Sequence, residues 1–225
     1  MDCERLRMRT AIVVAEPNLH ALLEGVEACS SPYLKVYESN NLALVKTYSG
    51  HYLLEAIYTL KGLGIRNVIV VDTATSILSS LNVGQWLPIY ASLPYPKIEL
   101  AGSVVPVADY NLMKTVDTFV KGEGNGHSVA IAASTILPLE EVVKDIELLK
   151  SLDVSLIDRS SAYLYSLCRG SIKCLVIDVV DSSLAKGIDK AKVYDEVERY
   201  IDTLRSSTKE LLSRLMEIEG TESRL

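Results

Sequence analysis

Gly62–Ile77 reads GLGIRNVIVVDTATSI, and the run NVIVVD within it, Asn67–Asp72, decides the fold. Between Asn67 and the closing acid, Val68–Val71 are four consecutive β-branched apolar residues, the kind of strand that is buried on both faces of a parallel sheet. Upstream, Leu53, Leu54, Ile57, Leu60 and Leu63 repeat at helical spacing, and Gly64 stops that helix. Before it lies a second apolar run, LALVK at Leu42–Lys46, separated from the helix by Ser49 and Gly50. Strand, helix and buried strand in this order make a βαβ unit, whose two strands run parallel.

The pattern continues in both directions. Thr10–Val14 (TAIVV) reads as a buried strand broken by Glu16 and Pro17. Downstream, Val83–Leu93 and Gly102–Val107 read as strands and Ala108–Val120 as a helix. Gly122, Gly124 and Gly126 mark a flexible turn, which lacks the Lys and Ser/Thr of a phosphate-binding P-loop, before the strand Ser128–Ser134. Leu139–Leu152 is amphipathic through Val142, Val143, Ile146 and Leu149, with Pro138 at its start. Val154–Asp158 is a strand leading to a helix that ends near Cys168, and Lys173–Asp181 is a further buried strand. Val193, Val197, Ile201, Leu204, Leu211 and Leu215 place a long amphipathic helix at about 190–217. Strands alternating with helices predict an α/β fold, a three-layer αβα arrangement with a mixed, mostly parallel central sheet. No composition shift divides residues 1–225, so one domain is expected.

Composition narrows the function classes. A chain that is 48% hydrophobic and 23% charged packs a core rather than staying disordered. A net charge of −6 and a pI near 5.2 supply no basic surface for nucleic acid or an anionic membrane. No secretory h-region and no membrane-length apolar run are present, so a cytoplasmic protein is expected. Cys3, Cys29, Cys168 and Cys174 form no C-x-x-C pair and stand near no histidine ladder, which predicts buried free thiols and no metal site. His20, His51 and His127 are far apart and default to surface or loop roles, and no cofactor motif is found. Tyr163 and Tyr165, at helical spacing, are expected to pack the core.

Three stretches, in order, resemble the purine nucleoside and uridine phosphorylase family. Gly62–Ile77 looks like the family's helix end, strand and G-[ST]-x-G-[AS]-[LIV] phosphate loop. Leu81–Ile89, LNVGQWLPI, is similar to its V-G-D-[IV]-[VIL]-[IV] strand. Ile157–Gly187, IDRSSAYLYSLCRGSIKCLVIDVVDSSLAKG, looks like the V-E-M-E-[AST]-A-x-L-[YF] helix and the following strand ending in S-D; Ala162, Leu164, Tyr165 and Asp181 fall in place. The resemblance implies a nucleoside phosphorylase-like fold, a homo-oligomer, and a nucleoside or nucleobase as ligand. It also implies a chemistry in which phosphate attacks the anomeric carbon while an acid protonates the departing base. Such chemistry needs an anion site, a carboxylate for the ribose hydroxyls and a leaving-group acid.

Several positions depart from that pattern. The family's G-D-P-x-R corresponds to Ala15–Leu19, AEPNL, in which Pro17 is kept and Leu19 replaces the arginine. A leucine offers no charge-assisted bonds to an oxyanion. The second loop reads DTAT, Asp72–Thr75: Thr73 keeps a hydroxyl, both glycines are lost, and Asp72 brings negative charge. These changes argue against a phosphate site of the usual kind. The ribose carboxylate position is Ser160, which offers a neutral hydrogen bond only, and Asp158 stands at the first Glu of V-E-M-E.

Asp181 matches the aspartate that engages the purine and is the candidate general acid; Thr73, Asp158, Ser160 and Ser182 are the candidate substrate-binding residues. Each acid also has a plain reading: Asp72 as N-cap of a strand-to-helix turn, Asp158 as a helix N-cap, Asp181 as the cap of the turn after its strand. Three functions stay open. The first is a nucleoside binder with reduced, altered or absent glycosidic cleavage. The second is an active phosphorylase or nucleosidase using Asp181 as acid, with Glu16 available to activate water. The third is a non-catalytic assembly subunit.

Overall fold

The computed structural model describes residues 8–39, 42–96, 105–120, 129–168, 170, 172–185, 202 and 205–216. In chain order the strands are β1 (Thr10–Val14), β2 (Val26–Ser31), β3 (Leu34–Ser39), β4 (Leu42–Lys46), β5 (Asn67–Ser76), β6 (Trp86–Pro94), β7 (Ala130–Ser134), β8 (Val154–Asp158) and β9 (Lys173–Ser183). The helices are α1 (His51–Gly62), α2 (Tyr110–Val120), α3 (Leu139–Val142), α4 (Ile146–Ser151), α5 (Ser161–Cys168) and a last one, α6, described over 205–216.

β5 organises the sheet. Eight of its ten residues are buried, and it pairs in parallel with β1 on one edge and β9 on the other. β1 ends opposite Val71, and only from Thr75 does β8 take up the vacated edge, antiparallel, through Thr75↔Ile157 and Ser76↔Leu156. The sheet order is β2-β3-β4-β1-β5-β8-β7-β6-β9, with β9 returning to β5. The α/β fold and mixed, mostly parallel sheet are therefore as expected. The closure of β5, β8, β7, β6 and β9 into a ring was not anticipated, because it depends on long-range register rather than on any local pattern.

One side chain stitches that ring. β6 pairs with β9 only over Trp86↔Val179, Leu87↔Asp178 and Pro88↔Ile177. At the next step the Tyr165 hydroxyl of α5 inserts, donating to the Ile89 carbonyl at 2.6 Å and accepting from the Val176 N–H at 3.0 Å. Buried main-chain groups left open by the diverging strands are thereby satisfied. Tyr165 is indeed a core residue, at 3% exposure.

Several expectations are corrected. β5 continues to Ser76 and β9 to Ser183, so Asp72–Thr75 is strand rather than a strand-to-helix turn, and Asp72 caps no helix. Leu139–Leu152 is broken by a 3-10 turn at Val143–Asp145, which leaves Val143 exposed. The hairpin β2–β3 was missed, since β2 is an edge strand with Cys29 alone buried and so lacks an alternating apolar face. Three of the cysteines are not free thiols: Cys168 and Cys174 form a disulfide between the end of α5 and the head of β9, and Cys29 is disulfide-bonded as well, while Cys3 lies outside the described residues.

Val107 makes an isolated bridge to Ala91, while 102–104 and the glycine turn 122–126 lie outside the described residues, as does most of 190–204. Leu211, Leu212 and Leu215 of α6 are buried as the amphipathic pattern requires. No helix among the described residues is long and apolar enough to cross a membrane.

Candidate functional site

The unpaired stretch of β5, from where β1 stops to where β8 begins, opens a cavity of about 320 Å³ at the carboxyl ends of the strands. In open α/β sheets ligands enter at such places, where neighbouring strands part. Glu16 follows β1; Asp72, Thr73 and Thr75 come from β5, Asp158 and Arg159 from the end of β8, and Asp181 and Ser182 from β9. Thr73, Asp158, Asp181 and Ser182, all singled out from sequence, thus line one cavity. Ser160 does not line it; it lies one bond behind, donating its hydroxyl to Asp72 Oδ2 at 3.0 Å.

Asp181 is aimed by the backbone. Ala74 pairs with Val180 and Thr75 with Ser182, which leaves Asp181 as the extra residue of a bulge. Bulges redirect side chains in this way beside functional sites. Its Oδ1 accepts from Ser182 Oγ at 2.6 Å and from Thr75 Oγ1 at 3.5 Å, so its partners are neighbouring hydroxyls and not the amides of a following turn. Burial raises its pKa, and the Ser182 and Thr73 hydroxyls draw it partly back.

Asp72 consumes the donors that an oxyanion would use. Its Oδ1 accepts the Thr73 N–H at 2.9 Å and its Oδ2 the Ser160 hydroxyl. Burial pushes its pKa up to about 7 against the pull of those two bonds, with Asp158 and Glu16 adding further upward pressure. Leu19, at the position of the family's arginine, is wholly buried in the 3-10 turn Pro17–Leu22 and presents nothing to the cavity. Glu16 caps that turn through Oε1, which accepts from the Asn18 N–H at 3.0 Å and Asn18 Nδ2 at 2.8 Å. Arg159 is an exposed cation among the lining residues, set among four acids.

Asp158 fulfils the capping reading as well as lining the cavity: Oδ1 accepts from the Ser160 and Ser161 N–H groups at 3.2 and 3.4 Å and from the Ser134 hydroxyl. Beneath it sits Asp178, a residue that sequence reasoning missed. It pairs in register with Asp72 and is completely buried. With every carboxyl ionised, Asp158 Oδ2 and both Asp178 oxygens would be buried without a donor. A proton on Asp178 supplies one, as a bond between the two carboxyls; burial first, then the charges of Asp158 and Asp72, raise the Asp178 pKa well above its ordinary value. An aspartate inside an apolar strand was the available signal.

Ser92, Ser134 and Ser161 add a buried ring of hydroxyls under the same floor, linked at 2.7 to 3.2 Å. No set of three or more His, Cys, Asp and Glu placed to hold a metal occurs among the described residues. Of the histidines, His20 bridges the Val14 and Thr47 carbonyls at 3.2 and 2.7 Å, His51 faces Glu55 on the surface, and His127 lies outside the described residues.

The model of the phosphorylase superfamily matches residues 41–217. No curated protein sequence matches the chain. Among solved structures, the chain is similar to purine nucleoside phosphorylase from Toxoplasma gondii in complex with immucillin-H. The two share 18% identity and a TM-score of 0.67, over 93% of this chain and 92% of that one.

Proposed function

The chain belongs to the phosphorylase superfamily, and from that membership we propose that its cavity binds a nucleoside or nucleobase without inorganic phosphate. The observation that carries this reading is the Asp72 carboxylate, bonded to both the Thr73 N–H and the Ser160 hydroxyl. The Asp72 side chain already takes the donors that an external anion would need, and as pH rises through about 7 and it ionises, a second anion beside it also meets like charge in a poorly solvated site. Asp181, with a raised pKa, offers a proton to a ring nitrogen of the base, while Thr73 and Ser182 offer hydroxyls to the sugar.

Glu16 favours one catalytic version of the same reading. It lines the cavity with Asp181, so two carboxyl side chains share one cavity, as in the pairs that hydrolyse glycosidic bonds. Water attacks the anomeric carbon and gives its proton to Glu16; the carbon–nitrogen bond breaks, and the base leaves with the proton of Asp181. Neither step uses phosphate. The expected assembly is a homo-oligomer and the expected compartment the cytoplasm.

The test combines thermal shifts with chromatography. Purine nucleosides, pyrimidine nucleosides and free bases are each added with and without phosphate, and release of free base is followed. A ligand bound only by the native state raises the midpoint. A shift independent of phosphate is expected, and Asp181→Asn is expected to keep binding while losing any base release. Base release that requires phosphate would refute the proposal, and release unchanged in Asp181→Asn would remove Asp181 from the chemistry.

A further inference from the structure

Three cations stand side by side at the amino-terminal edge of the sheet, the end opposite the acid-lined cavity. β1, β5 and β9 run parallel with Thr10, Asn67 and Lys173 in register. Arg9 immediately precedes β1, Arg66 immediately precedes β5, and Lys173 begins β9. Main-chain bonds hold the row: the Arg66 and Asn67 N–H groups donate to the Arg9 carbonyl at 2.7 and 3.0 Å, and the Lys173 N–H donates to the Arg66 carbonyl at 2.7 Å. Neighbouring strands are about 4.8 Å apart, so the three residues are neighbours along this edge of the sheet. All three side chains are exposed, and none forms an ion pair within the described residues.

Arg66 and Lys173 border a cavity of about 450 Å³, larger than the acid-lined one. Its wall is apolar where Val107, Ile172 and the Cys168–Cys174 disulfide form it. Asp109 also borders the cavity, and its carboxylate is engaged as a cap, with Oδ1 accepting the Leu112 N–H of α2 at 2.9 Å.

We propose that this cavity is a second ligand site, separate from the nucleoside cavity, that takes an organic phosphate. The phosphate head is held by Arg66 and Lys173 with Arg9 alongside, and an apolar body packs against Ile172 and the disulfide. A phosphate dianion is opposite in charge to Arg66 and Lys173, and the Arg66 guanidinium fork matches its oxygens. An apolar body accounts for the wall, which a simple anion would not use.

Calorimetric titration with 1-naphthyl phosphate tests this, with inorganic phosphate, 1-naphthol and 1-naphthoate as separate arms for the head, the body and a carboxylate head. Saturable binding of 1-naphthyl phosphate, tighter than in all three other arms, is expected. It should weaken at least tenfold in the exposed-site variant Arg66→Gln/Lys173→Gln, whose melting temperature is expected to match the parent, and stay within twofold in Asp181→Asn. The proposal fails if 1-naphthyl phosphate does not bind at millimolar concentration, or if 1-naphthol or inorganic phosphate binds as tightly. It fails equally if the double variant binds unchanged, or if Asp181→Asn abolishes binding and so moves the ligand to the other cavity.

Discussion

Asp72 carries the functional argument at the scale of single residues. Its pKa is about 7 in the folded chain against an ordinary 3.8, so the folded state retains a proton that the unfolded state has released. The stability linked to this proton is fully present below about pH 4 and is lost as pH rises through about 7. Asp72→Asn keeps an acceptor for the Thr73 N–H and removes the buried charge. Calorimetric melting is therefore expected to show the variant gaining stability over the parent at pH 8 and little or nothing at pH 4. A parent whose stability does not fall across that interval would contradict the assignment.

Asp72→Ala frees the Thr73 N–H and the Ser160 hydroxyl, and sulfate is expected to stabilise this variant more than it does the parent in the same melts. The residue types at this site were legible in the sequence, because Leu19 and Asp72 contrast in charge with what a phosphate loop requires. What was not legible is that Asp72 satisfies Thr73 and Ser160 internally, since that bond joins residues 88 positions apart. Asp178 escaped notice for the same reason, as its neighbours Asp72 and Asp158 are set by register and not by spacing along the chain.

At the scale of elements, the long apolar strands declared themselves, because a strand covered on both faces needs an unbroken apolar run, as in β5 and β9. Short or half-exposed pieces did not: β2 presents Cys29 alone to the core, and the 3-10 turn at Val143–Asp145 interrupts a pattern that reads as one helix. α5 shows how an element can be recognised while its role stays hidden. Its tyrosine pattern announced packing, yet the Tyr165 hydroxyl also fills the fork between β6 and β9. Tyr165→Phe leaves two buried main-chain groups unsatisfied and is expected to cost about 2–4 kcal/mol in urea unfolding. The same ends of α5 and β9 are tied by Cys168–Cys174. Replacing both cysteines by serine is expected to lower stability by about 2 kcal/mol in oxidising buffer, with no further loss on adding reductant beyond what the Cys29 bond contributes.

At the scale of the whole molecule, parallel strands sort charge to the two ends of the sheet. Glu16, Asp72, Asp158 and Asp181 gather at the carboxyl ends around one cavity, and Arg66 and Lys173 stand at the amino ends beside another. The family scaffold was legible from three short stretches whose order and spacing survive, while the closed ring of five strands was not, since closure rests on pairings between distant segments. The central claim is that the acid-lined cavity takes a nucleoside and excludes inorganic phosphate. Calorimetric titration of inosine or adenosine in matched buffers with and without phosphate measures it most directly. Equal affinity in the two buffers, with no free base released in either that depends on phosphate, is the predicted result. Affinity that rises with phosphate would contradict the account.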